Sequence, residues 1–208
     1  MSIELLPLLA AHRVLGIIRA RDAAAAVAAG RVLVDAGLPL LEVSLITPDA
    51  ADAIAELAGI PGAIVGAGTV LSPEDVALVE DAGASFIVTP AITDAVPVAA
   101  GHGLPVLAGA TTATEALTAM QLGATAVKLF PASIGGPSYL KALRDPLPGL
   151  PFVPVGGVDA AAAREYLRVG AVAVGVGSPL LGDAVAGGSL DELAERAASF
   201  AALAAEFA

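Results

Sequence analysis

The chain has 208 residues, enough for one domain with a substantial buried core, and 57% of them are hydrophobic, which excludes a disordered chain. A net charge of −11, with five Phe, two Tyr and no Trp, excludes a nucleic-acid binder, which needs a positive field or stacking rings. Cysteine is absent, so disulfides, thiolate metal sites and a cysteine nucleophile are excluded together.

The opening stretch MSIELLPLLAAHRVLG has no basic leader before its apolar part; it predicts a short helix and no signal peptide. Strand one follows at 14–19, then a helix capped by Asp22 and stopped at Gly37. Strand two is expected at 40–45, with its helix stopped at Gly59. Strand three, at 63–69, leads into a helix announced by Ser72 as N-cap and Pro73 in the first turn, and stopped at Gly83. Strand four (85–90) has its helix stop at Gly103, and strand five (105–110) precedes a capping box of Thr112 and Glu115 with a stop at Gly123. Strand six is expected at 126–131 with a stop at Gly149, and strand seven at 151–157 with an N-cap at Asp159 and a stop at Gly170. Strand eight (171–177) precedes a last helix at 191–206. Each stopping glycine is expected to adopt the left-handed conformation that ends a helix.

The stops recur every 20–26 residues, the length of one βα unit. Eight such units predict an α/β fold, a closed (β/α)8 TIM barrel in one domain spanning 1–208, with a short N-terminal helix. A doubly wound open sheet is the alternative, but it does not require eight even units. The apolar runs are far shorter than the roughly 20 residues a membrane helix needs, so no membrane partner is expected and the cytoplasm is the default address.

In such a barrel the active site lies where the strands end, so polar residues there are the candidates. They are Arg19, Glu42, Thr69, Thr89, Thr111, Lys128, and the pairs Gly156-Gly157 and Gly177-Ser178. Lys128, one of only two lysines, sits inside an apolar run and shares a face with Ala126 and Phe130. A lysine is rarely buried without partner or purpose, and an amine there can attack carbonyls. The alternative is a side chain that snorkels to the strand end. Lys141, beside Arg144 on a helix, reads as solvated surface.

Glu42 is also mid-strand. With Leu41, Val43 and Leu45 facing the helices, Glu42 and Ser44 point into the barrel. A carboxylate beside a carbonyl-reactive lysine supplies the proton transfers of imine formation and C–C cleavage. Alternatively it only pairs with the lysine, a role of little net stability. Arg19 either offers a fork matched to a substrate carboxylate or is an ordinary surface arginine. The two glycine pairs either serve turns or present backbone N–H groups to a phosphate, as loops after strands seven and eight do in such barrels. Gly66-Ala67-Gly68 has Leu71 where a dinucleotide fingerprint needs its third glycine. His12 and His102 lie 90 residues apart with no acid at ligand spacing, so no metal site is expected.

Taken in chain order, several segments resemble the 2-keto-3-deoxy-6-phosphogluconate (KDPG) aldolases and their galactonate-type relatives. They are Gly16-Ile17-Ile18-Arg19, Glu42-Val43-Ser44, Val65-Gly66-Ala67-Gly68-Thr69-Val70, Val88-Thr89-Pro90, Gly109 and Thr112-Ala113-Thr114-Glu115. Lys128-Leu129-Phe130-Pro131, Val155-Gly156-Gly157-Val158 and Gly175-Val176-Gly177-Ser178 complete the set. The resemblance implies a class I lyase without cofactor that splits a 6-phospho-2-keto-3-deoxy sugar acid into pyruvate and glyceraldehyde 3-phosphate. It makes Lys128 the Schiff-base lysine and Glu42 the general acid/base. It implies further that Thr69 contacts the pyruvate moiety, that Pro90 and Phe130 line the site, and that Gly157 and Ser178 fall in the phosphate-binding segments. Homotrimers are common in the family.

One position departs from the pattern. Many KDPG aldolases carry, four residues after the catalytic glutamate, an arginine that binds the substrate carboxylate; here it is Ile46. Other members place arginine at the end of strand one, where this chain has Arg19. Carboxylate binding is therefore assigned to Arg19, a swap that leans toward the galactonate-type relatives. Cleavage of 4-hydroxy-2-oxoglutarate is an alternative activity. A phosphosugar isomerase or epimerase is a rival that needs no amine in the barrel. A non-catalytic phosphosugar-binding barrel is another, which binds without turnover.

Overall fold

The eight apolar runs are eight parallel strands in the computed structural model of the chain, which describes residues 3–207. In chain order the elements begin α1 (Leu5–His12), β1 (Val14–Ile18), α2 (Ala23–Asp35), β2 (Leu40–Ser44), α3 (Ala50–Ala58), β3 (Ile64–Gly68) and α4 (Pro73–Asp81). They continue with β4 (Ile87–Val88), α5 (Ala95–Gly101), β5 (Val106–Ala110), α6 (Ala113–Gln121), β6 (Ala126–Leu129) and α7 (Gly136–Arg144). The last are β7 (Phe152–Pro154), α8 (Ala160–Arg168), β8 (Val174–Val176), α9 (Ser178–Leu181) and α10 (Leu190–Ala205). Strands pair in the order β7-β6-β5-β4-β3-β2-β1-β8. A parallel bridge between Val155 and Gly175 joins the two outer strands and closes the (β/α)8 barrel.

Alternation along each strand divides the apolar side chains between two cores. Leu15, Leu40, Phe86, Leu107, Ala126 and Val153 fill the barrel, and Leu5 and Leu9 of α1 join them. The short N-terminal helix thereby stoppers the end from which the strands start, and each buried leucine contributes about 1.5–3 kcal/mol. Val14, Ile18, Leu41, Val43, Val65 and Val127 lie on the other face beneath the helices.

The predicted caps form. Asp22 accepts from the Ala25 N–H at 2.7 Å and Asp159 from the Ala162 N–H at 2.8 Å. Ser72 and Thr112 each complete a reciprocal box, with Asp75 and Glu115 respectively. Of the predicted helix stops, Gly37, Gly83, Gly103, Gly123 and Gly170 are left-handed. Two differ. Gly59 has φ −78° and continues the right-handed turn, so the reversal falls on Gly62, after Pro61. Helix α7 ends at Arg144, before Gly149, because Pro146 and Pro148 cannot supply the N–H groups that would extend it.

The strands are also shorter than the apolar runs that predict them: β4 retains only two residues and β8 three. Arg19, Thr69, Pro90, Phe130 and Gly156 all lie just beyond the ladder. They leave it because the chain must turn toward the next helix; Pro90 and Pro131 have no N–H to pair, and Thr69 has φ 62°. The rim is thereby built of loop residues on rigid strand ends.

Candidate active site

Alternation decides which polar side chains enter the barrel. On β2, Leu40 faces inward, so Glu42 and Ser44 do too; on β6, Ala126 brings Lys128 with it. Glu42 is 1% exposed and Lys128 6%, and Lys128 Nζ stands 3.7 Å from Glu42 Oε1. That separation is an ion-pair contact, longer than a hydrogen bond. Glu42 Oε2 is buried and has no hydrogen-bond partner among the described residues. The amine also lies over the Phe130 ring, with Nζ 5.3 Å from the ring centroid, within cation–π range.

The neighbouring strand makes room for the carboxylate. Glu42 pairs in register with Gly66 and Ser44 with Gly68. A Cβ at Gly68 would stand 2.0 Å from Glu42 Oε1, and one at Gly66 would run into the Phe86 ring at 2.3 Å. The Gly-Ala-Gly pattern thus serves space inside the barrel. Gly109, beside Lys128 in the β5–β6 register, plays a similar part, since a Cβ there would meet the Pro90 carbonyl carbon at 2.1 Å. Sequence reasoning missed these roles; glycines at period two on an inward face were the available signal. Above Glu42, the Ser44 and Thr69 hydroxyls are hydrogen-bonded at 3.0 Å.

At the ends of β1, β6, β7 and β8 a cavity of about 490 Å³ opens, lined by Arg19, Phe130, Gly156, Gly157, Gly177 and Ser178 among others. Gly156 and Gly157 have φ 98° and 73°, conformations that favour glycine, and a Cβ on Gly157 would also meet Ser133 Cβ at 2.9 Å. Arg19 is exposed and makes no hydrogen bond or ion pair with the described residues. Strand β1 lies between β8 and β2, and the Ala20 N–H donates to Thr47 Oγ1 at 3.0 Å. Arg19 therefore stands between the β8 loop and the strand that carries Glu42. Phe130 belongs both to this cavity and to the wall around Lys128, and links the two. Ile46 is 60% exposed and brings no charge to the rim.

Not every candidate joins this group. Pro90 lines a separate cavity of about 220 Å³ with Gly109, Thr111 and Glu115. The Thr89 hydroxyl is occupied, donating to the Ala91 carbonyl at 2.6 Å and accepting from the Gly109 N–H at 3.2 Å; it holds the β4 loop in place. Thr111 donates to the Phe130 carbonyl at 2.8 Å, and Tyr139 donates to the Thr111 carbonyl at the same distance, so α7 and β5 together steady the Phe130 segment. Tyr166, whose hydroxyl burial pushes up in pKa, donates to the Ala132 carbonyl two residues further on. N–H groups of Thr111 and Thr112 hold the Glu115 carboxylate below its ordinary pKa. Among the described residues, no group of three or more His, Asp or Glu could hold a metal ion.

Known proteins are similar to this chain over most of its length. The family described as KDPG and KHG aldolase matches residues 7–195. The 2-dehydro-3-deoxy-6-phosphogalactonate aldolase of Escherichia coli K12 is 39% identical over 172 residues, covering 81% of this chain and 82% of that protein. The KHG/KDPG aldolase of the same strain is 39% identical over 176 residues, 83% of each. A crystal structure of Legionella pneumophila KDPG aldolase, with pyruvate captured as a covalent carbinolamine, superposes with a TM-score of 0.85. It is 29% identical and covers 93% of this chain and 96% of its own.

Proposed function

The chain belongs to the KDPG and KHG aldolase family, and from that premise we propose that it splits a 2-keto-3-deoxy-6-phospho sugar acid into pyruvate and glyceraldehyde 3-phosphate. One observation carries the reading: an amine and a carboxylate, buried together inside the barrel 3.7 Å apart, beside a cavity walled by glycine loops. A purely structural ion pair brings little net stability against its desolvation cost, so chemistry is the better account of keeping both.

Lys128 passes a proton to Glu42, the free amine adds to the C2 carbonyl to give a carbinolamine, and Glu42 then returns that proton to the departing hydroxyl, which leaves as water. The resulting iminium is the electron sink, so the route requires no metal. Glu42, now a carboxylate, takes the C4 hydroxyl proton through a water molecule. The C3–C4 bond breaks, its electron pair passes into the enamine, and the aldehyde leaves. Protonation at C3 and addition of water then release pyruvate and the free lysine. The unpaired Glu42 Oε2 is suited to this traffic, because a buried acceptor without a partner is satisfied by the reacting hydroxyl or water.

Arg19 is assigned to the substrate carboxylate: it is a cation without a described partner on the cavity, and Ile46 supplies none. Thr69, hydrogen-bonded to Ser44 above Glu42, is assigned to the pyruvate moiety, and Pro90 and Phe130 to the walls. Backbone N–H groups of Gly156, Gly157, Gly177 and Ser178, with the Ser178 hydroxyl, are assigned to the phosphate. A homotrimer is the proposed assembly, as the family's common one. The proposed address is the cytoplasm, where charge confines phosphorylated acids.

The test is pyruvate release from gluconate-type and galactonate-type 6-phospho substrates and from 4-hydroxy-2-oxoglutarate, measured side by side. The reading predicts the largest kcat/KM on a phosphorylated acid. Preference for 4-hydroxy-2-oxoglutarate would remove the phosphate from the assignment, and no pyruvate from any of the three would overturn the reading.

A further inference from the structure

At the opposite end of the barrel, where the strands begin, two neighbouring cavities of about 460 and 420 Å³ share Arg144 and Pro148. Arg13, Lys141, Arg144 and Arg168 line them, four of the ten basic residues in a chain of net charge −11. Asp145 is the one acid on these walls. Such a concentration of cations produces a local positive field that the rest of the molecule opposes.

Helix ends explain part of it. Lys141 and Arg144 lie in the last turn of α7 and Arg168 in the last turn of α8, where cations complement the dipole. Arg144 Nη1 also donates to the Val169 carbonyl at 2.6 Å, seated where a Cβ on Gly170 would collide with it. Arg13 Nη1 donates likewise to the Val172 carbonyl at 3.1 Å. These contacts use one nitrogen of each guanidinium. The Nε of both is buried and unpaired among the described residues. Arg168 pairs with Glu165, but none of the ion pairs among the described residues involves Arg13, Lys141 or Arg144. Partly desolvated cations without a counter-charge are costly, and an anion that enters the groove relieves that cost.

We propose that this groove binds a phosphate group, held by the Arg13 and Arg144 guanidinium groups with Lys141 and Arg168 at its mouth. A dianionic oxyanion suits the donors: the Nη2 of Arg13 and of Arg144, which make no hydrogen bond among the described residues, supply one N–H donor group each, and the Lys141 ammonium adds a point charge. Leu150, Pro151 and Phe207 supply an apolar flank, so phosphate monoesters with a small organic body fit alongside the free ion. The groove is separate from the Lys128–Glu42 pair, and its occupancy does not depend on the aldolase reading.

The probe is inorganic phosphate, titrated calorimetrically at constant ionic strength into the intact enzyme and into a Lys141→Gln/Arg168→Gln variant. Both substituted side chains lie at the groove's mouth and outside the catalytic machinery. The variant is expected to lose at least tenfold in affinity at one class of phosphate site, while phosphate inhibits cleavage as it does in the wild type. Arg144→Gln, if it folds, should abolish that class. Indistinguishable isotherms for wild type and double variant would overturn the proposal. So would parallel weakening of phosphate binding and of phosphate inhibition, because both would then report the same site. Pyruvate release by the double variant at the wild-type rate would show that the aldolase reading stands whichever way the groove is decided.

Discussion

Gly68→Ala tests whether the position of the Glu42 carboxylate matters, without touching Glu42 itself. Gly68 is not among the left-handed glycines, so alanine fits its backbone, and the perturbation is the added methyl alone. That Cβ would lie 2.0 Å from Glu42 Oε1, whereas ordinary contact begins at 3.4 Å. The carboxylate must therefore retreat by the difference, about 1.4 Å, and Glu42 at 1% exposure has no solvent to retreat into. A misplacement of about 1 Å costs on the order of 10²-fold in rate, so kcat should fall by ~10². Overpacking should lower stability by about 1–3 kcal/mol. The assay is initial-rate pyruvate release, with denaturant unfolding and circular dichroism to establish that the variant is folded. Glu42→Gln added to Gly68→Ala should lower kcat little beyond the Glu42→Gln single change, because both act through one group. A folded Gly68→Ala enzyme within threefold of wild-type kcat would refute the reasoning.

Glu42→Gln alone should lower kcat by ~10²–10⁴, the range for a lost general acid/base; a variant retaining more than a tenth of the rate would remove Glu42 from the mechanism. Arg19→Leu should weaken pyruvate binding by about 1.5–3 kcal/mol, as for a lost charged hydrogen bond. If pyruvate binding is unchanged while phosphate inhibition weakens, Arg19 serves the phosphate end of the cavity that it shares with the glycine loops. Glu115→Gln should lower stability at pH 7 by about 0.5–1 kcal/mol, a capping value discounted for solvent screening. Because the folded-state pKa of Glu115 is lowered, its contribution is present above the unfolded value and lost as pH falls through the folded one. The difference in unfolding midpoint between the two proteins should therefore be full at pH 7 and narrow as the pH falls below the ordinary carboxylate value of 4.5; a difference that does not narrow on acidification would contradict the charge argument.

The barrel was legible in the sequence because parallel strands covered by helices are continuous apolar runs, each followed by a capped helix. Period-two alternation also sufficed to aim Glu42, Ser44 and Lys128 inward, since Leu40 and Ala126 share their faces. Rim geometry was less legible. Thr89 looks like Thr69 in sequence, yet its hydroxyl is satisfied by the loop that follows it, and only the path of that loop decides this. Pro90 and Phe130 both end inward positions but open onto different cavities. Gly66, Gly68 and Gly109 could be counted in the sequence, but the groups they admit, Phe86, Glu42 and the Pro90 backbone, come from neighbouring strands. The same holds for the groove of Arg13 and Arg144, whose residues are joined only by closure of the barrel.

Covalent trapping tests the central claim most directly. Borohydride added to the enzyme with pyruvate should reduce the imine and leave one pyruvyl group per chain, on the peptide that contains Lys128. The chain's other lysine, Lys141, is exposed on α7 and serves as the internal control. Loss of activity should track incorporation, and Lys128→Arg should abolish both. Label on Lys141, or an enzyme that cleaves substrate yet remains unlabelled and active under borohydride, would contradict the account.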